Sequence, residues 1–192
     1  PGSRLREVRK IFPVILETAW ELLKHNRNLR FEVAAASEQL AREMKPAIAD
    51  LDQSQDRKAI QIKVDETAAI MQRAWTGIVA SGSATLEAAY FRLPFVLIYK
   101  VAWPTYLAAR LVVNVKYLGM PNLLADKEVV QEFIQHRAKP NAIVKVVQQL
   151  IQNANGRERM ISEFHAIIGK LGGGGASERA ARAIIEEIGS AT

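Results

Sequence analysis

Short apolar runs alternate with helix-periodic stretches through the first half of the chain, and that alternation restricts the fold more than any other feature. The runs are "RFEVAAA" (30–36), "AIQIKV" (59–64), "TGIVAS" (76–81) and "FVLIYK" (95–100). Between them, Val14, Leu16, Ala19, Trp20 and Leu23 recur at helical spacing, as do Leu40, Met44 and Ile48. Ser37 stands where an N-cap of the second helix belongs, and Thr85 falls in the first turn of the helix after "SGS". Pro13 lies inside the first pattern and predicts either a kink or a helix that restarts there. Strands separated by helices build parallel βαβ units, so the expected fold is α/β, an open doubly wound parallel sheet.

Beyond residue 115 the pattern turns helical. "GMPNLLAD" (119–126) reads as a loop by its Gly, Pro and Asn, followed by helices at 127–135, 140–153, 156–171 and 177–188. Pro140 and Gly156 mark the joins, and "GGGG" (172–175) predicts a flexible hinge before the last helix. The chain opens on "PGSR", a turn and helix start of the kind that follows a strand in a parallel sheet. The expectation is therefore a domain lacking its first strand, over residues 1–135, completed by C-terminal helices over 136–192.

Charge and composition narrow the function classes. The chain has no cysteine, and His25, His136 and His165 are too scattered for a ligand set, so no metal and no cofactor are expected. The formal charge of +6 invites an anionic partner, yet the bases are interleaved with acids, as in "REVRK" and "GRERM". Without a dense basic block carrying aromatics, nucleic acid is not expected as a partner. The apolar runs are too short to span a bilayer.

Three stretches look like parts of a site. "SGS" (81–83) follows a strand directly, and in doubly wound sheets ligands bind at the carboxyl ends of strands, where the next helix begins. Small residues admit a phosphate close to the backbone, and the first helical N–H groups favour its charge. Ser81, Gly82, Ser83, Ala84 and Thr85 thus form a candidate anion cradle, with Glu87 placed to accept hydrogen bonds from a ribose diol. The competing reading is a tight strand–helix turn with a helix-stabilising glutamate. Gly2, Ser3 and Arg4 repeat the pattern at the chain's first helix, against ordinary capping with a solvated arginine. Asn122 either bonds a sugar or closes an Asx turn. The stretch 101–119 carries Trp103 and Tyr106 with Lys100, Arg110 and Lys116 nearby, as on a membrane-surface helix or an acyl groove, or as an ordinary core stripe.

Taken together these residues resemble one family. "PGSR" with Glu7, "ASGSATLEAA" (80–89), Pro94 before "YK" (99–100), "LAARLV" and "VKYLGMPNLLAD" within 107–126, and "PNAIVKVVQQLI" (140–151) stand in the order found in lipid-A-disaccharide synthases. Ser83 replaces the threonine of the family's "ASGTATLE" and keeps a hydroxyl; "GMPNLL" departs from "SLPNLL" but keeps Pro121 and Asn122. The resemblance covers essentially the whole chain and only the C-terminal half of the enzyme. It implies the Rossmann-like, UDP-binding half of a GT-B glycosyltransferase with a C-terminal helical extension.

By the same resemblance the full enzyme transfers 2,3-diacylglucosamine from UDP-2,3-diacylglucosamine to 2,3-diacylglucosamine 1-phosphate, with inversion and without a metal. It does so peripherally, on the inner face of the cytoplasmic membrane of Gram-negative bacteria. Ser81 to Thr85 would surround the diphosphate, with Gly2, Ser3 and Arg4 beside it, and Glu87 would hold the ribose. Arg4 and Asn122 would be catalytic, the first on a departing phosphate and the second ordering the site. Lys100, Trp103 and Arg110 would meet phosphate or lipid. The catalytic base would come from the N-terminal domain, so this chain alone is expected to be inactive. Exchange of the last helix across 172–175 would make a homodimer. The rival readings are another UDP-sugar GT-B protein, of the peptidoglycan N-acetylglucosaminyltransferase or UDP-N-acetylglucosamine 2-epimerase type, and a noncatalytic nucleotide-sugar-binding or membrane-associated module.

Overall fold

A computed structural model of the chain describes residues 1–50, 58–101, 116–172 and 175–190. The strands are β1 (Phe31–Ala35), β2 (Ile60–Val64), β3 (Gly77–Ala80), β4 (Phe95–Tyr99) and β5 (Glu132–Ile134). The helices are α1 (Leu5–His25), α2 (Glu38–Ala49), α3 (Thr67–Arg73), α4 (Ala84–Tyr90), α5 (Met120–Ala125), α6 (Pro140–Gln152), α7 (Ala154–Lys170) and α8 (Ala176–Ser190). Among the described residues all strand pairs are parallel, as the alternation of strands and helices leads one to expect. They form two sheets: β1 pairs with β2, and β4 lies between β3 and β5.

α1 holds the two sheets together. Its apolar stripe is wide enough to split into two rows. Val8, Phe12, Leu16 and Leu23 pack with Val33, Ala35, Ile60 and the α2 residues Leu40 and Met44. Ile11, Val14 and Leu22 pack with Val96 and Ile98 of β4 and with Ile143 and Val147 of α6. A third cluster lies on the other face of β4, where Phe95 and Leu97 meet Ala88 and Ala89 of α4 and Phe164 and Ile167 of α7. The Phe95 and Phe164 rings stack with centroids 5.6 Å apart. With helices on both faces, residues 95–98 of β4 are buried throughout, which explains an unbroken apolar run.

Two local expectations are corrected, and of the two readings of Pro13 the restarted helix is set aside. α1 runs unbroken through Pro13. Pro13 and Arg9, whose carbonyl loses its helical partner there, both lie on the exposed side, and the two packed rows outweigh one missing bond. The stretch 119–126 is a short helix with Pro121 in its first turn, stopped by Asp126 at φ 51°. The stretch 127–135 ends not as a helix but as β5, whose Phe133 pairs with Ile98. Its apolar spacing suits a helix locally, yet the open edge of β4 supplies backbone partners that a helix would leave unused. The four strands expected from the sequence, the Ser37 cap, which accepts from the Leu40 N–H at 3.3 Å, and the later helices stand where the pattern places them.

Candidate functional site

The carboxyl end of β3 runs straight into the Ser81–Ser83 turn and α4. The Ser81 N–H donates to the Ile98 carbonyl at 3.0 Å and so extends the β3–β4 pairing by one residue. The Thr85, Leu86 and Glu87 N–H groups turn back to the Gly82 and Ser83 carbonyls. Between these, the N–H groups of Gly82, Ser83 and Ala84 have no partner among the described residues. They are the open donors of a helix start, carrying its partial positive charge.

Gly82 has φ +144°, and a Cβ added there would meet nothing within 4 Å. The glycine is needed for its backbone angle, and the space before it is empty. Thr85 is fully buried and donates its hydroxyl to the Gly82 carbonyl at 2.7 Å. It braces the turn from inside and does not face the cavity, which corrects its place among the residues surrounding a ligand. The Ser83 side chain makes no capping bond and is exposed.

A cavity of about 900 Å³ opens beside this turn. Its walls include Ser81, Gly82, Ser83, Ala84 and Glu87 and, from the start of the chain, Pro1, Gly2, Ser3, Arg4 and Glu7. Folding thus brings together the two turns that the sequence reading singled out some eighty positions apart, along with the first turns of α1 and α4. Gly2 has φ +114°, and a Cβ on it would lie 2.8 Å from a Glu7 carboxylate oxygen. Arg4 is exposed and donates to Glu7 at 3.2 Å. A pair so exposed holds weakly, so the guanidinium is easily redirected. The Glu87 carboxylate has no partner among the described residues.

Asn122 is not part of that wall. It is fully buried, accepts from the Val129 and Val130 N–H groups at 2.8 and 2.9 Å, and donates to the Val130 carbonyl and to Glu132. Its four bonds use the whole capacity of an amide, so it orders the fold and has nothing left for a sugar. Lys100 stands just beyond the carboxyl end of β4 and does not line the cavity. Trp103 and Arg110 lie outside the described residues.

Sequence reasoning missed Glu132 and Gln135. The Glu132 carboxylate accepts from the Leu118 and Gly119 N–H groups and from Asn122, while the Leu118 carbonyl accepts from the Ser81 hydroxyl at 3.3 Å. The Ser81–Ser83 turn is thereby tied to β5. Gln135 clasps the backbone of Val101 in both directions. A lone acid within "VVQEFI" was the one available signal for the first; nothing local marked the second. Among the described residues, no group of three His, Asp or Glu is arranged to hold a metal, and no helix is long and apolar enough to cross a membrane.

Comparisons with known proteins identify relatives of this chain. A family model described as lipid-A-disaccharide synthetase matches residues 1–182. Proteins named lipid-A-disaccharide synthase are similar to the chain. That of Geobacter sulfurreducens is 33% identical over 98% of this chain and 48% of its own length. That of Syntrophus aciditrophicus is 34% identical over 94% and 46%, and that of Neisseria meningitidis 30% over 98% and 48%. The chain spans about half the length of these relatives. By the extent of the family match, and by relatives above 30% identity along nearly its whole length, the chain belongs to the lipid-A-disaccharide synthetase family.

Proposed function

We propose that this chain is the donor-binding half of a lipid-A-disaccharide synthase and holds the UDP of UDP-2,3-diacylglucosamine at the mouth of the cavity. The observation that carries the reading is the set of three N–H groups at Gly82, Ser83 and Ala84, without a partner among the described residues and on residues that line the same cavity as the first turn of α1. In an inverting transfer, an acceptor hydroxyl of 2,3-diacylglucosamine 1-phosphate attacks the anomeric carbon. The bond to UDP breaks, and the electron pair passes to the diphosphate. Charge grows on that diphosphate in the transition state, where fixed amide dipoles and a cation stabilise it. The three amides provide the dipoles. Arg4, released from Glu7, provides the cation, and Glu87 accepts from the ribose hydroxyls. Asn122 contributes only by holding the loop under Ser81.

The acceptor's proton goes to a base on the other half of the synthase, so this chain alone turns over no substrate. The domain division at residue 135, with α6 and α7 completing the UDP-binding unit, belongs to the same proposal. So do a second copy engaged through α8, whose Ile184 and Ile185 are exposed, and a bilayer surface met by the net charge of +6. Sedimentation tests the second copy; vesicle binding that weakens with salt tests the surface.

The decisive experiment titrates UDP against tryptophan fluorescence, since Trp75 lines the cavity. Glu87→Ala is expected to weaken UDP by about 1.5–3 kcal/mol, the worth of hydrogen bonds to a charged acceptor. The same variant should lose its discrimination between UDP and 2′,3′-dideoxy-UDP. Unchanged affinity in Glu87→Ala would remove the carboxylate from the site.

A further inference from the structure

The turn between β3 and α4 is held from outside those two elements, and the group that holds it is a carboxylate the transfer chemistry above does not use. Ser81 has two tethers. Its N–H donates to the Ile98 carbonyl of β4 at 3.0 Å, and its hydroxyl donates to the Leu118 carbonyl at 3.3 Å. Leu118 is gripped in turn from its other side. Its N–H is shared between the two Glu132 carboxylate oxygens, Oε2 at 3.0 Å and Oε1 at 3.2 Å. Oε1 also accepts from the Gly119 N–H at 2.8 Å and from the Asn122 amide at 2.9 Å. A single residue, Leu118, therefore separates the Ser81 hydroxyl from the carboxylate.

The grip leaves little slack. A Cβ on buried Gly119 would lie 2.7 Å from Leu97 Cδ1 and 3.0 Å from Glu132 Oε1, so the 118–119 backbone is seated directly on the β4–β5 pair, where Glu132 is opposite Leu97. Backbone N–H bonds to a carboxylate belong to the strong, charge-assisted class. Gln135, three positions further on, is the contrast. Its amide takes the Val101 N–H at 3.0 Å and returns a bond to the Val101 carbonyl at 3.3 Å. It holds backbone as Glu132 does, but at Val101, beyond the end of β4, rather than at the residue bonded to Ser81.

We propose that Glu132 is a positioning residue for the diphosphate: it fixes Leu118, Leu118 fixes the Ser81 hydroxyl, and the Gly82, Ser83 and Ala84 N–H groups that follow keep one arrangement. The proposal rests on the reading of that turn as the place where the diphosphate of UDP binds. Donors already in place before an anion arrives lose no freedom on binding it and need no rearrangement as its charge grows. Glu132→Gln tests this chain of contacts at one link. The amide oxygen can still serve Gly119 and Asn122, but an NH2 group then faces the Leu118 N–H. The substitution also removes a negative charge, which alone favours a nearby anion. Lost positioning and lost charge therefore act on UDP affinity with opposite signs.

The experiment measures UDP and uridine binding by calorimetry for the parent chain, Glu132→Gln, Ser81→Ala, the double variant and Gln135→Asn. Asparagine tolerates the left-handed backbone of Gln135 (φ 50°) but is too short to clasp Val101. Without ligand, the amide resonances of Gly82, Ser83 and Ala84 should move or broaden in Glu132→Gln and stay in place in Gln135→Asn. UDP affinity should fall about fivefold in Glu132→Gln, the net worth of roughly one hydrogen bond, with uridine affinity unchanged. The double variant should lose no more than Ser81→Ala does alone, since both changes cut the same path. Unchanged or tighter UDP binding in Glu132→Gln, additive losses in the double variant, or an equal loss in Gln135→Asn would overturn the role of Glu132. A parent chain that binds UDP no better than uridine would instead overturn the diphosphate reading, and the positioning role with it.

Discussion

The two half-sheets differ in how they are covered. β4 has α1 and α6 on one face and α4 and α7 on the other, and residues 95–98 are buried throughout. β1 and β2 pack against α1 and α2 through one cluster, and alternate positions such as Glu32 and Gln61 stay exposed. A strand buried on both faces needs an unbroken apolar run, and one buried on a single face needs only alternate apolar positions. Stability should therefore be concentrated in the β3–β4–β5 half, while the β1–β2 half depends on α1 and on α2.

The sharpest way to break this comparison is Phe95→Ala. It removes a fully buried ring stacked on Phe164 and should cost about 3–5 kcal/mol in chemical denaturation, whereas Ile62→Ala in half-exposed β2 should cost clearly less. Equal costs would dissolve the distinction. Next in size is Asn122→Ala. It leaves the Val129 and Val130 N–H groups unbonded near β5 and should lower stability by about 2–3 kcal/mol, and any loss of UDP affinity should follow only through displacement of the turn at Ser81. Ser37→Ala removes the α2 cap of the weaker half, an effect of about 1 kcal/mol visible as faster amide exchange in the first turn of α2.

The smallest effect concerns Glu32 of β1, which accepts two hydrogen bonds from Arg73 of α3 at 2.8 and 2.9 Å. Those bonds hold the Glu32 carboxyl below its usual pKa. Its stabilisation is therefore present above the unfolded carboxylate value, near about 4.3, and is lost as pH falls through the lower folded value. The difference in thermal midpoint between the parent chain and Arg73→Met should be small at pH 7, since the pair is half-exposed, and should shrink toward zero in strong acid. A difference that grows in acid would reverse the sign of this coupling.

Much of the candidate site was legible in residue order. The small residues Ser81 to Ala84, the early acid Glu87 and the Gly2–Arg4 turn are local signals, because a strand–turn–helix junction is set by neighbours in the chain. What residue order did not separate was facing from bracing. Thr85 and Ser83 read alike as hydroxyl donors, yet one is buried against Gly82 and the other lines the cavity. Asn122 read as a sugar contact or an Asx turn and is neither, because its partners at Val130 and Glu132 become neighbours only when β5 pairs with β4.

The sequence by itself determined which segments extend, which coil, and where the chain must turn tightly, since apolar period and backbone sterics act over a few residues. Only the tertiary structure decided that 132–134 is a strand, that Pro13 does not break α1, and that Glu132 anchors the turn at Ser81. The same holds for the cavity that β1 and β3 line together. Each of these depends on which edges, faces and carbonyls distant segments leave open, a property of the assembled layers that no local pattern contains.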